Sequence, residues 1–258
     1  MRTELLYEVK KHVAYMTINR PERRNALSAE VVQALSEYLD IAESDPEVRV
    51  ICITGAEEKA FCAGADLGAT AGAEGEGKLK SLKDYAEVLK KMTKIGKPIV
   101  ARVGGDCIAG GLGLMLSCDI VIAKRSARFA TPEINVGLWP MMIGALIFRH
   151  LPRKQAWYLA YSGIRITAAE AKELGMLTKV VDDDKFEDEV GQTLAMLCSK
   201  SPTALRIGRQ AYYTAMDEDF EGALDYLCRM FGEVASTEDA AEGLKAFLEK
   251  REPVWKGR

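Results

Sequence analysis

Short apolar runs alternate with helical patterns as far as about residue 200, and this alternation limits the fold more than any other feature. Residues 5–19 alternate apolar and polar side chains around Lys10-Lys11-His12, which predicts a β-hairpin. Ser28 can cap the helical pattern that follows, and the apolar run VRVICITG then predicts a buried strand. Because strand and helix patterns continue to alternate, the sequence predicts a winding α/β core.

The pattern changes at Pro202, after which helical patterns run to the C-terminus without a convincing strand. Ser201 is a suitable helix cap, and proline is favoured in a first helical turn. A region of fewer than 60 residues buries too little surface to be very stable alone, so its apolar stripes need the core or a neighbouring subunit. We therefore divide the chain into a core, residues 1–200, and a helical C-terminal region, residues 201–258.

Composition excludes several classes of partner. The net charge of -3 provides no general attraction for nucleic acid, and no apolar stretch approaches the roughly 20 residues that a membrane helix needs. The N-terminal residues lack the features of a secretory signal, so we expect a cytoplasmic protein. The six cysteines form no C-x-x-C pair and sit mostly in apolar runs, which predicts reduced, buried thiols.

Two glycine-rich segments stand out, FCAGAD at 61–66 and GGDCIAGG at 104–111. Neither contains the G-x-G-x-x-G of dinucleotide-binding folds, and the chain has no phosphate loop and no G-x-S-x-G serine-hydrolase motif. The two histidines, His12 and His150, are far apart and lack spaced companions, so we expect no metal site. The segments can either bring backbone N–H groups to a ligand, as in an oxyanion hole, or permit close helix packing. Their spacing alone does not decide between these two roles.

Six segments together carry a family resemblance, and they occur in the order NRPERRNALS, FCAGADL, KPIVARVGGDCIAGGLGLMLSCDIVIA, ARFATPEINVGLWP, SGIRITAAEAKELGMLTKVV and GLKAFLEKREPVW. They resemble the crotonase (enoyl-CoA hydratase/isomerase) superfamily over essentially the whole chain. The resemblance implies a spiral of ββα units with a C-terminal helical region that packs trimers, often paired into hexamers. It also implies an acyl-CoA thioester as substrate, with no cofactor besides the CoA of the substrate itself.

The resemblance assigns roles to individual residues. The oxyanion donors fall on the backbone N–H groups of Ala65 and Gly110, and Glu133 matches one of the two catalytic glutamates of the hydratases. Phe247 and Lys250 match residues that reach the CoA of a neighbouring subunit. Trp139 lies in a stretch that departs from the family pattern, where it would form either a bulky wall near the acyl chain or part of the core. The remaining positions expected to bind CoA or substrate are Arg24, Ala26, Leu27, Ala63, Gly64, Asp66, Leu67 and Gly111.

One departure from the family pattern bears on the reaction. Gly113, in AGGLGL, occupies the position of the second hydratase glutamate, and Asp106 is a weak candidate to replace it. The resemblance implies a hydratase-type lyase, the commonest activity of the family, with Glu133 as acid and base, and the missing glutamate leaves two alternatives open. One is an enoyl-CoA double-bond isomerase with Glu133 as its single base, and the other is an acyl-CoA-binding protein without catalysis. Residues 68–78, rich in Gly and Ala, are predicted to form a mobile loop.

Overall fold

The computed structural model describes residues 3–66 and 76–258 of the chain, with the side chains of 76–78 left out. The predicted N-terminal hairpin is confirmed: strand β1 (Leu5–Lys10) pairs antiparallel with β2 (Val13–Ile18). The sheet continues in parallel through β3 (Val50–Gly55), β5 (Ile99–Val103), β7 (Ile120–Lys124) and β10 (Lys179–Val181), so its order is β1-β2-β3-β5-β7-β10. Every residue of β3 is buried, as expected for a central parallel strand.

A second, smaller sheet places the glycine-rich segments side by side. Its strands are β4 (Ala60–Cys62), β6 (Asp106–Ile108), β8 (Arg128–Ala130) and β9 (Arg165–Thr167), in that order. The first three run parallel, and β9 is antiparallel to β8. Because parallel strands end at the same edge, the residues that follow β4, β6 and β8 gather at one end of this sheet.

Helices pack the core between and around these strands. The helix α1 (Ala29–Ser44) begins where predicted, since the Val31 N–H donates to Ser28 Oγ at 3.1 Å. Its buried face includes Val31, Leu35 and Leu39. The other core helices are α2 (Glu76–Lys94), α3 (Gly110–Leu116), α4 (Met141–His150), α5 (Arg153–Ser162), α6 (Ala168–Glu173) and α7 (Phe186–Cys198). Short 3-10 helices span Pro21–Arg23, Pro132–Val136 and Asp183–Lys185.

Three helices complete the C-terminal region, namely α8 (Pro202–Ala215), α9 (Phe220–Ala235) and α10 (Glu238–Glu249). The predicted cap of α8 is confirmed by a hydrogen bond from the Ala204 N–H to Ser201 Oγ at 3.0 Å. Asp119 joins this region to the core, because its carboxylate accepts from the Ile99 N–H and from Arg209 Nε, each at 2.7 Å. The predicted α/β core with a helical C-terminal region is therefore present.

The predicted mobile loop, residues 68–78, lies outside the described residues as far as position 75. Helix α2 already begins at Glu76, inside the stretch that the sequence assigned to the loop. Within residues 3–66 and 76–258, no helix has the length and apolar character needed to cross a membrane.

Candidate active site

The first site element is the turn that follows β4. Gly64 has φ +86°, a left-handed conformation that glycine adopts without strain, and its N–H donates to Cys62 Sγ at 3.4 Å. The Leu27 N–H donates to the Gly64 carbonyl at 2.7 Å, and the Asp66 N–H donates to the Leu27 carbonyl at 3.1 Å. These two bonds hold Ala65 between them and leave its own N–H pointing away from the bridge with Leu27.

The second element is the turn between β6 and α3. A Cβ placed on Gly64 would lie 2.8 Å from the Gly110 amide nitrogen, and one placed on Gly110 would lie 3.5 Å from the Ala65 nitrogen. The two amide groups are therefore close neighbours. Within the described part of the chain, neither the Ala65 N–H nor the Gly110 N–H donates to a protein acceptor. Two adjacent, unpaired backbone donors are the arrangement that stabilises a developing oxyanion.

Two glycines near this turn, Gly111 and Gly113, permit close packing. Glycines of this region therefore serve both predicted roles, bringing N–H groups to a ligand and letting helices pack closely. A Cβ on Gly111 would lie 2.3 Å from the Cys62 carbonyl oxygen, which shows that Gly111 lets α3 approach β4. A Cβ on Gly113 would lie 2.4 Å from Ile143 Cγ2 and 3.2 Å from the Tyr85 hydroxyl oxygen. The space that a side chain at position 113 would need is therefore occupied by Ile143 and Tyr85.

The third element carries the carboxylate. Glu133 follows β8 in the 3-10 helix Pro132–Val136, and the Thr131 hydroxyl donates to the Leu159 carbonyl at 3.1 Å just before it. Glu133 Oε2 is buried and has no hydrogen-bond partner among the described residues. Burial raises the pKa of this carboxyl above its ordinary value, although a bond from its own backbone N–H lowers the pKa in part. A raised pKa suits a group that both takes and returns a proton near neutrality.

The two segments predicted to bind CoA lie next to each other. The Ala63 N–H donates to the Arg24 carbonyl at 3.1 Å, and Leu27 pairs with Ala65 as described above. Ala26 and Leu27 are buried, whereas the Arg24 side chain is exposed. The assignment of these residues to CoA stays a prediction, but the structure does bring them together beside the Ala65 donor.

Asp66 is held by a buried ion pair. Arg20 Nη2 lies 2.8 Å from Asp66 Oδ2, and the two side chains are 10% and 11% exposed. The same guanidinium donates from Nη1 to the Ala26 carbonyl at 2.8 Å and pairs through Nε with Glu4 at 3.0 Å. Arg20 thus links the two predicted CoA-binding segments and fixes the residue that follows Ala65.

The roles predicted for the remaining site residues stay predictions. Leu67 is outside the described residues. Trp139 packs in an aromatic cluster with Trp157 and Tyr161, at ring-centroid distances of 6.4 and 5.3 Å. Phe247 and Lys250 are exposed at the end of α10, and Asp106 faces Arg165 at 3.7 Å.

Four residues that shape the site were not identified from the sequence. Arg20 organises the first turn, and Asn25 anchors it by donating to the Ala56 and Ala60 carbonyls at 2.8 and 2.7 Å. Ala109 adopts φ 52°, ψ −126° immediately before the Gly110 donor. Tyr85, on α2, donates to the Gly110 carbonyl at 2.5 Å. Arg20 and Asn25 lie within the segment NRPERRNALS, but the contacts of Tyr85 have no signature in the local sequence.

Among residues 3–66 and 76–258, no group of three His, Cys, Asp or Glu side chains is placed to hold a metal ion.

Known proteins resemble this chain in both sequence and structure. The sequence model described as Enoyl-CoA hydratase/isomerase matches residues 8–258. The chain is 34% identical to (E)-benzylidenesuccinyl-CoA hydratase of Thauera aromatica, covering 97% of the chain and 98% of that protein. It is 32% identical to a short-chain-enoyl-CoA hydratase of Clostridium acetobutylicum, covering 96% and 95% respectively. A crystal structure of an enoyl-CoA hydratase from Bacillus anthracis superposes with a TM-score of 0.95 at 31% identity, covering 99% of this chain and 100% of that one.

Proposed function

The chain belongs to the enoyl-CoA hydratase/isomerase family and is an enzyme of this type, and from this premise we propose that it moves a proton on an enoyl-CoA thioester with Glu133 as its single acid and base. The substrate carbonyl accepts hydrogen bonds from the Ala65 and Gly110 N–H groups. These donors stabilise the enolate that forms when a proton leaves the α-carbon. CoA enters as part of the substrate, and the proposed chemistry needs no metal.

Double-bond isomerisation is the reaction that the geometry supports best. The Glu133 carboxylate removes a proton from C2 of a 3-enoyl-CoA, the electron pair passes into a dienolate held by the two N–H groups, and the same proton is returned at C4 to give the 2-enoyl-CoA. The observation that carries this choice is the space beside Gly113, which Ile143 and Tyr85 occupy. No second carboxylate can stand there to help hold a water molecule.

Hydration is the second candidate, because the relatives described above are named as hydratases. In this reaction Glu133 would take a proton from water as oxygen adds to C3, and the enolate would then be protonated at C2. One carboxylate can perform both transfers in principle. Isomerisation and hydration share the oxyanion donors and the base, so they differ in whether water is positioned against C3.

The test supplies the purified protein with 3-enoyl-CoA and, separately, with 2-enoyl-CoA. We expect 3-enoyl-CoA to be converted to the conjugated 2-enoyl-CoA, and Glu133→Gln to lower the rate by about 10²- to 10⁴-fold. Glu30→Gln, an exposed glutamate in the first turn of α1, is the matched control and should leave the rate unchanged.

Each other result has a defined meaning. Formation of a 3-hydroxyacyl-CoA without isomerisation would favour hydration. Tight binding of both thioesters without turnover would favour the non-catalytic acyl-CoA-binding alternative, and turnover unchanged in Glu133→Gln would exclude the mechanism. A malonyl-type thioester in the same assay tests decarboxylation, which also passes through an enolate.

The proposal extends to assembly and location. We assign CoA contacts to the segments around Arg24 and Ala63, and to Phe247 and Lys250 of a neighbouring subunit in a trimer or a dimer of trimers. The exposed position of Phe247 supports this arrangement, because a large apolar side chain on a C-terminal helix needs cover. A cytoplasmic location remains our expectation from the sequence.

A further inference from the structure

We propose that Tyr85 is a positioning residue, whose hydroxyl holds the Gly110 carbonyl and thereby restrains Gly110, so that the N–H of this residue is aimed at the substrate oxyanion. The inference rests on the proposed function, because it assumes that the Gly110 N–H is an oxyanion donor. It adds a side chain from α2 to a site otherwise built from the ends of β4, β6 and β8.

The Gly110 N–H needs external support because the residue before it is strained. Ala109 has φ 52° and ψ −126°, a region of backbone conformation that is essentially reserved for glycine. The ψ angle of Ala109 sets the direction of the peptide that carries the Gly110 N–H. A non-glycine residue keeps such a conformation only when surrounding contacts determine it.

Two hydrogen bonds hold Ala109, and a third holds the next residue, Gly110. The Ala109 N–H donates to the Ala130 carbonyl at 2.9 Å, and the Ala109 carbonyl accepts from the Leu112 N–H at 2.8 Å. The Gly110 carbonyl accepts from the Tyr85 hydroxyl at 2.5 Å. The first two bonds join backbone groups, whereas the third depends on one side chain from a separate helix. Tyr85 is therefore the anchor that a substitution can remove selectively.

The surroundings of Tyr85 favour a persistent bond. The side chain is buried, so its hydroxyl would lose a partner at considerable cost if it left the Gly110 carbonyl. Burial also raises the pKa of the phenol well above its ordinary value, which keeps the proton on the oxygen as a donor. Gly113 leaves room for this hydroxyl, since a Cβ there would lie 3.2 Å from it.

A positioning role makes a different prediction from a packing role. Loss of packing lowers stability and affects every ligand alike. Loss of an aimed donor affects ligands in proportion to the negative charge on their carbonyl oxygen, because an oxyanion hole favours the transition state over the ground state. The measurement that separates the two roles is therefore the ratio of two affinities. One is for a ligand that becomes an enolate, and the other is for a ligand that has no thioester carbonyl.

The experiment compares Tyr85→Phe with Tyr7→Phe. Tyr7 is the matched control because its hydroxyl is buried without a partner among the described residues and lies on β1, outside the site. Three quantities are measured for each protein. The first is turnover, as kcat and KM with the enoyl-CoA that the wild type converts. The second is the affinity for acetoacetyl-CoA, together with its near-ultraviolet enolate absorbance. The third is the affinity for S-ethyl-CoA, which lacks the thioester carbonyl.

We expect Tyr85→Phe to lower kcat and the affinity for the acetoacetyl-CoA enolate by about tenfold, the size expected for one hydrogen bond. KM and the affinity for S-ethyl-CoA should stay within about twofold, since they do not depend on the oxyanion. Tyr7→Phe should change none of these quantities.

Two results would overturn the inference. If the ratio of enolate affinity to S-ethyl-CoA affinity is the same in Tyr85→Phe and the wild type, Tyr85 does not position the donor, while the proposed function stands. If the wild type itself shows no preference for the enolate, the oxyanion hole and the role of Tyr85 both fail. The affinity ratio does not depend on the folded fraction, so a less stable Tyr85→Phe still gives an answer.

Discussion

Ile143 takes up the space beside Gly113, because a Cβ on that glycine would lie only 2.4 Å from Ile143 Cγ2. Ile143 is buried on α4, and its branched side chain has few alternative rotamers. A side chain at position 113 would therefore require Ile143 to shift. This contact fills the space where a side chain at position 113 would stand.

Gly113→Ala should destabilise the fold by about 1–3 kcal/mol, because the added methyl overpacks the contact with Ile143. The control is Gly191→Ala on α7, where a Cβ would meet nothing within 4 Å. That change should stabilise the fold by about 0.5–1 kcal/mol, since alanine favours helix over glycine. Chemical denaturation measures both, and a neutral Gly113→Ala would show that Ile143 moves aside easily.

The stability of Glu133→Gln should depend on pH in a defined direction. Burial raises the pKa of Glu133 in the fold above its value in the unfolded chain. As the pH rises from the unfolded pKa through the folded pKa, the wild type must ionise a buried carboxyl. Its stability therefore falls relative to a variant without that charge. Below the unfolded pKa both states are protonated and the difference disappears. We therefore expect Glu133→Gln to be the more stable protein at neutral pH and equal to the wild type in acid, as denaturation at several pH values would reveal.

The pH dependence of turnover should report the same carboxyl. Glu133 acts as a base only when ionised, so kcat/KM should fall on the acid side with an apparent pKa above the ordinary glutamate value. Rates measured across a pH series with a fixed enoyl-CoA give this value. An acid limb at the ordinary glutamate pKa would contradict the burial of the catalytic group.

Asp66→Asn should weaken both the fold and the reaction. It removes the charge that Arg20 contacts at 2.8 Å in a largely buried setting, and a hydrogen bond to a charged partner contributes about 2 kcal/mol. The residue next to the Ala65 donor then loses one of its restraints, so kcat should also fall. Glu87→Gln breaks an exposed pair with Lys90 and serves as the control, for which no measurable change is expected. Equal behaviour of the two variants would argue against the role of Arg20.

The assembly is tested by light scattering. Phe231 and Phe247 are 74% and 80% exposed on the C-terminal helices, and a trimer would cover such side chains. Phe231→Arg should therefore lower the measured mass, whereas Met196→Arg, on α7 and 45% exposed, should leave it unchanged. A wild type that scatters as a monomer would remove the part proposed for Phe247 and Lys250.

Much of the architecture follows from local patterns. The alternating residues of the hairpin, the caps at Ser28 and Ser201, and the apolar run of β3 were all predicted and are present. These features depend on a residue and its near neighbours in the chain, so a periodic pattern or a capping residue is enough to reveal them. The order of motifs likewise identified the family.

The site depended on contacts between distant segments. The sequence by itself determined the two glycine-rich segments, the glutamate at position 133 and their order along the chain, because composition and turn preferences are local. The short strands β4, β6 and β8 that lead into them appeared only in the structure. Only the tertiary structure decided which glycines serve which purpose: Gly64 brings the Ala65 and Gly110 donors together, whereas Gly111 and Gly113 make room for Cys62, Ile143 and Tyr85. It also revealed the strained Ala109 and the hydroxyl of Tyr85 beside it. Such contacts arise from packing between elements far apart in the chain, and neither propensity nor spacing encodes them.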